Sequence, residues 1–217
     1  MDLIPEVLEG GAVRLEALDA RHRDGLLAAA SEERSSYTYT YVPADRDDVA
    51  SYIAEAVAAR ARGVALPYAV VERATGRVVG STRFLDLEAF VWPPPWPPGV
   101  ARGPSLADGV APSVGEIGST WYAASAQGTA VNPEAKLLLL RHAFEVWQVE
   151  RITLKTDARN SRSRAATEKL GARFEGIRRA HVPAIDGTVR DSAYFSILAD
   201  EWPDVRAGLE RRLARSS

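Results

Sequence analysis

EIGSTWYAASAQGTAVNPEAKLLLLRHAF, residues 116–144, is the stretch that decides how the rest of the chain is read. Val114 to Tyr122 has strand composition, 124–131 is small and polar, and Asn132-Pro133 announces a helix running to about Val146. Asn is a favoured N-cap because its side-chain oxygen accepts from free N–H groups of the first turn. Pro suits the next position, where its missing N–H needs no partner. A strand, a loop of small residues and a helix start together make an anion site, since free N–H groups and the positive end of the helix dipole face the loop. On spacing alone the turn serves equally well as a plain connection.

Upstream, Val13 to Leu18 alternates apolar and polar and reads as a first strand. Asp19 caps a helix expected through about Glu33, and Asp45 to Arg62 is a second helix with Val49, Tyr52, Ile53, Ala56 and Val57 on one face and Gly63 as its stop. The segment between them carries Tyr37, Tyr39 and Tyr41. Pro67–Glu72 and Arg77–Leu85 form a hairpin about the turn 73–76. Residues 89–113 break the pattern with Trp92-Pro-Pro-Pro-Trp96-Pro-Pro-Gly99. Pro removes donors and fixes φ, so this insert is neither helix nor central strand. It decorates the surface, lines a substrate pocket or contacts a second copy.

Downstream, Arg151–Thr156 alternates cleanly as a strand, 157–160 is a turn, and Ser161–Leu170 is a helix closed by Gly171. Arg173–Val182 and Thr188–Leu198 are strands joined at Asp186-Gly187, a hairpin dipeptide. Glu201–Arg215 is a last, Arg-rich amphipathic helix. The order is β-α-α-β-β-β-α-β-α-β-β-α, with no repeat and no composition shift, so 1–217 reads as a single domain.

Composition narrows the chemistry. With 217 residues, 46% hydrophobic and 26% charged, the chain can bury a full core. A net charge of −2 argues against nucleic-acid or membrane-surface binding. No cysteine exists, which excludes thiol catalysis and disulfides. His22, His142 and His181 are scattered and form no metal motif, so no metal is expected. No signal peptide or membrane-length apolar run is evident, so the expectation is a cytoplasmic protein. The basic residues are almost all Arg, which reads as compositional bias.

Two motifs carry a resemblance. Gln127-Gly128-Thr129-Ala130-Val131-Asn132 stands at the place of a Gln/Arg-x-x-Gly-x-Gly/Ala loop. Asp157-Ala-Arg-Asn160-Ser-Arg-Ser163, followed by Lys169-Leu170-Gly171-Ala172, is similar to an Asn-x-x-Ser helix start ending in Leu-Gly. With the element order, these resemble the GCN5-related N-acetyltransferase (GNAT) superfamily, in its branch of Rim-type N-acetyltransferases. The resemblance implies an α+β, three-layer fold with a mixed, mostly antiparallel sheet of about seven strands flanked by helices. It also implies acetyl-coenzyme A as cosubstrate, direct transfer to a primary amine (a protein N-terminus or a small molecule), and a homodimer contact through the last hairpin and terminal helix.

By the same resemblance, backbone at Trp121, Tyr122 and Ala123 holds the pantetheine arm. Gln127, Gly128, Thr129, Ala130, Val131 and Asn132 take the diphosphate, and Asn160 bonds the arm from the opposite side. Ala130 stands where the family has Gly. If the site calls for a positive φ, Ala130 is strained by about 1 kcal/mol. Glu134 in the first turn opposes a nearby phosphate. Glu116 is the candidate base, its alternative being an ordinary strand residue or a partner for an Arg. Ser163 is the candidate acid toward the thioester sulfur, its alternative being a backbone-bonding helix residue. Tyr37, Tyr39, Tyr41, Trp92 and Trp96 are candidate walls of the acceptor pocket. His181 and Asp191 read as structural and His142 as packing. Two other classes stay open: a catalytically weak acyl-coenzyme A sensor or scaffold, which Ala130 favours, and a phosphate binder sharing only the loop.

Overall fold

The computed structural model describes residues 4–90 and 111–215. Trp92 and Trp96 lie outside the described residues, as does most of the Pro-rich insert. The elements are β1 (Leu8–Glu9), β2 (Val13–Ala17), α1 (Arg23–Ala30), α2 (Arg46–Ala61), β3 (Ala65–Glu72), β4 (Val78–Glu88), β5 (Val114–Tyr122), α3 (Val131–Arg141), β6 (Arg151–Asp157), α4 (Ser161–Glu168), β7 (Arg173–Pro183), β8 (Val189–Leu198) and α5 (Trp202–Ala214). The strands form one sheet of eight, ordered β1-β2-β3-β4-β5-β6-β8-β7. The fold is the α+β class expected, with one strand more than anticipated. β1 has two residues, too few to show a period.

Helix ends follow local chemistry. Asp19 forms a capping box with His22, but over a 3-10 turn, Ala20–His22, that leads into α1. The helix then stops at Ala30, three residues short of the expected end. Asp45 accepts from the N–H groups of Asp47 and Asp48 and fixes the start of α2 as expected. α3 ends earlier than its sequence suggests, because 142–146 widens into a π turn. That turn brings His142 and Trp147 onto Phe84, with Trp147 and Phe84 ring centroids 4.6 Å apart. The packing reading of His142 holds.

The two faces of the sheet are covered differently. On one, the Tyr52 hydroxyl of α2 donates to Ser81 of β4 (3.1 Å) and accepts from the Trp121 indole of β5 (3.3 Å). On the other, α3 packs against α5, and His142 just beyond it packs against Phe84. With helices on both faces, seven of the eight residues of β3 are buried.

The feature that makes the site is a parting of strands. β4 and β5 are antiparallel along most of their length. Among the described residues β5 and β6 are the one parallel pair, and they pair only at Val114↔Arg151, Gly115↔Ile152 and Glu116↔Thr153. Beyond Glu116 the two separate. Where they part, β5 also bulges: Trp121 faces Ser81 and Gly118 faces Arg83, so 119 and 120 together oppose Thr82, and Ser119 takes φ 46°.

Candidate active site

The gap between β5 and β6 opens into a cleft of about 810 Å³, a volume suited to a small molecule. It runs from the N-terminus of α3, where Gln127, Gly128, Thr129, Asn132 and Pro133 line it, along 116–122 to Glu116 and Lys155. Asn160 and Ser163 of α4's start line the opposing wall.

The loop before α3 is built differently from its sequence reading. α3 begins at Val131, two residues early, and Asn132 is not its cap. The Thr129 hydroxyl donates to the Ala126 carbonyl (2.7 Å) and accepts from the Val131 N–H (3.2 Å), which starts the helix before Asn132. Asn132 is thereby left to line the cleft. Ala130 has φ −67°, an ordinary helical value, so the expected strain is absent. The positive φ belongs to Gly128, at 78°. Glu134 also departs from expectation. Its carboxylate turns away to accept from the N–H groups of Gly11 (2.8 Å), Ala12 (2.5 Å) and Val13 (2.7 Å), tying the β1–β2 turn to α3. A Cβ on Gly10 would collide with that carboxylate.

Trp121 and Tyr122 line the cleft, but part of the backbone expected to hold an arm is already engaged. The Tyr122 carbonyl accepts from the Tyr37 hydroxyl and from Gln127 Nε2, both at 2.9 Å. The Ala123 N–H goes to Val79 (2.8 Å). Ala123 and Val131 are buried, and neither they nor Ala130 reaches the cleft wall. Gln127 accepts from Arg162 (2.6 Å), so its amide bridges β5 to α4.

Asn160 caps α4 as expected, its Oδ1 accepting from the Ser163 N–H at 2.9 Å. Among the described residues no group accepts a hydrogen bond from its side-chain amide nitrogen, and Asn160 lines the cleft. Ser163 stands in the first turn of α4 and lines the cleft.

Glu116 is 3% exposed. Its partner is a lysine, not an arginine: Lys155 Nζ lies 2.8 Å from Oε2, and Asp86 holds the same ammonium at 3.3 Å. Burial pushes the Glu116 pKa above the ordinary carboxylate value, and Lys155 pulls it back only in part. Burial alone would lower the Lys155 pKa, but Glu116 and Asp86 outweigh it and hold it above its ordinary value. The partners differ because Glu116 lies deeper than Lys155.

Tyr37, Tyr39 and Tyr41 all line the cleft. Tyr37 is a buried strut through its bond to Tyr122. Tyr39 lies under the Arg159 guanidinium, 5.0 Å from ring centroid to carbon, and Arg159 also bonds Asp157 and Asp186, both at 2.8 Å. This joins the β6–α4 turn to the last hairpin at the rim. Tyr41 is 54% exposed. His181 bonds Ser192 (2.9 Å) and Tyr194 (3.1 Å), and Asp191 accepts from the Ala180 N–H (2.8 Å), in keeping with structural roles.

Lys136 and Lys155 were missed from sequence. Lys136 is 5% exposed, in the middle of the buried run of α3, and it lines the cleft. Its Nζ donates to Thr120 Oγ1 (2.8 Å) and more distantly to Thr82 Oγ1 (3.5 Å). Burial lowers its pKa to about 7. The available signal was a charged residue at a position where helical periodicity demands an apolar one.

Residues 12–173 match the family described as the acetyltransferase (GNAT) domain. A Bacillus subtilis (strain 168) protein, YdaF, provisionally named a ribosomal N-acetyltransferase, is 32% identical over 87 residues. That alignment covers 40% of this chain and 46% of YdaF, so the chain spans about half the length of this curated relative. A GCN5-related N-acetyltransferase from Brucella melitensis superposes with a TM-score of 0.80 at 29% identity, covering 98% of this chain and 87% of that one. Mycobacterium smegmatis RimJ, solved in complex with CoA-disulfide, shares the fold with a TM-score of 0.74 at 20% identity, over 96% and 95% of the two chains.

Proposed function

Because the chain belongs to the acetyltransferase (GNAT) domain family, we propose that it moves an acetyl group from acetyl-coenzyme A to a primary amine by direct attack. The observation that carries this reading is the parting of β5 and β6 after Glu116↔Thr153, with a cleft running from a helix N-terminus to a buried carboxylate. The residues fit the substrate. Loop N–H groups at Gly128 and Thr129 and the dipole of α3 suit the diphosphate. The Asn160 amide suits an amide of the arm. RimJ, which shares the fold, was solved with a coenzyme A disulfide, and this supports coenzyme A as the ligand.

An amine attacks only when neutral, so its proton needs an acceptor in the cleft. Glu116 is buried, lines the cleft and carries a pKa above the ordinary carboxylate range, which suits a base. Lys155 keeps it ionised and oriented. The aromatic wall of Tyr39 and Tyr41 offers an apolar approach for the acceptor. The proposed acceptors are a protein N-terminus or a small amine, the first of these favoured by the name given to YdaF.

The reading as a catalytically weak sensor rested on a strained Ala130, and Ala130 is unstrained. The discriminating experiment measures thiol release from acetyl-coenzyme A with a panel of small amines and N-terminal peptides, with mass spectrometry of the products. Turnover with an acetylated amine is expected. Tight coenzyme A binding without turnover on any acceptor would return the sensor reading.

A further inference from the structure

The chain holds 24 arginines and three lysines, Lys136, Lys155 and Lys169. All three lysines line the same cleft. Wherever a cation is needed elsewhere, the chain uses arginine, whose guanidinium does not give up a proton. A lysine can, and Lys136 is the one of the three that is fully enclosed.

Among the described residues Lys136 makes no ion pair. Two threonine oxygens take two of its ammonium's three donors, leaving the third for a group in the cleft. A buried cation without a counter-ion is costly, so its presence calls for a use. It sits beneath Thr120, between the diphosphate end and the Glu116 end. The charge that acts on it is Glu116, whose carboxylate lies along β5 beside Gly118: Oε1 is 2.7 Å from where a Cβ on Gly118 would stand. Glu134, on its own helix, is committed to the β1–β2 turn.

We propose that Lys136 is the proton donor to the sulfur of the departing coenzyme A. The inference rests on the acyl-coenzyme A reading of the cleft. The lone pair of the amine nitrogen forms the bond to the thioester carbonyl carbon, and the carbon–sulfur bond breaks with its pair on sulfur. The Lys136 ammonium gives its proton to that sulfur, and the surplus proton on nitrogen passes to the Glu116 carboxylate. One proton moving from Glu116 to Lys136 then restores both groups. A pKa near 7 lets Lys136 give and regain the proton at neutral pH.

The test is Lys136→Met, of similar length and without charge, titrated with coenzyme A. Calorimetry reads affinity, and thiolate ultraviolet absorbance against pH reads the ionisation of the bound thiol. The variant is expected to bind coenzyme A within about threefold, while its bound thiol titrates about one pH unit or more above that in wild type. kcat is expected to fall about 100-fold with little change in the KM for acetyl-coenzyme A. An unchanged thiol titration in a folded, coenzyme A-binding variant would overturn the proposal and leave the acyl-coenzyme A reading standing. If the wild type binds no coenzyme A, both fall. Should the variant not fold, the wild type labelled at lysine Nζ gives only three side-chain resonances. The Lys136 signal must then shift when coenzyme A is added at neutral pH, and a signal that stays put sinks the proposal.

Discussion

Lys155 Nζ reaches Glu116 Oε2 at 2.8 Å just past the last pair of the parallel ladder, Glu116↔Thr153. The ion pair thus spans β5 and β6 where the ladder stops. It compensates a charge 3% exposed, and in the proposed reaction it keeps that charge available as a base.

This fixes a pH dependence. A base works ionised, so the rate rises with pH through the Glu116 pKa, which lies above the ordinary carboxylate value because of burial. Lys155→Met removes the pull toward the ionised form, and the acidic limb of the kcat profile should move up by about one pH unit. Glu116→Gln should remove that limb and lower kcat far more than it changes cosubstrate affinity. Wild-type kinetics in Glu116→Gln would take the residue out of the reaction. Lys155→Met should also lose about 1–3 kcal/mol in urea unfolding, less than for a fully buried pair because Lys155 keeps some solvent contact.

Glu134 and Gly10 form a second coupled pair. Glu134→Gln should cost about 1.5–3 kcal/mol, the range for hydrogen bonds to a charged acceptor, because it keeps only one acceptor oxygen for three N–H groups. Gly10→Ala should be destabilising in wild type and less so beside Glu134→Ala, since the three heavy atoms nearest its Cβ all belong to that carboxylate. Equal costs in both backgrounds would show that the clamp does not hold the turn.

Much of this was legible in the sequence. The alternation of β6, the helix starts at Asp45 and Asn160 and the Asp186-Gly187 turn are local signals, and each landed within a residue or so. The failures were places where a distant partner decided the outcome. Asn132-Pro133 looked like a helix start, but the Thr129 hydroxyl captured the Val131 N–H first. Glu134 looked like a first-turn charge opposing a phosphate, but its partners are 121 to 123 positions away. Lys136 was invisible to a reading that let the arginine bias stand for all the cations.

The loop before α3 gives a contrast between neighbours. Gly128→Ala should cost about 1 kcal/mol, from backbone conformation alone, because φ is 78° and a Cβ there would meet nothing within 4 Å. Ala130→Gly relieves no strain at φ −67°, so it should loosen the helix start and leave coenzyme A affinity unchanged or weaker. Denaturant midpoints and calorimetric affinities of both variants read this directly. Tighter binding by Ala130→Gly would mean that the loop changes conformation on binding.

Lys136 makes a stability prediction independent of catalysis. Its pKa falls from 10.5 to about 7 on folding, because burial disfavours the charge. Between those values the unfolded chain holds the proton and the folded chain does not. Stability attributable to this group therefore rises with pH across the window, with a limiting slope of about 1.4 kcal/mol per pH unit. Below about pH 7 both states are protonated and the full burial cost remains. Lys136→Met has no such cost, so it should be more stable than wild type at pH 6, and the gap should close as pH rises toward 10. Parallel stability curves for the two proteins would show that Lys136 keeps its ordinary proton affinity in the fold. A variant that gains stability while losing turnover would show that the buried lysine is kept for the chemistry, at a cost to the fold.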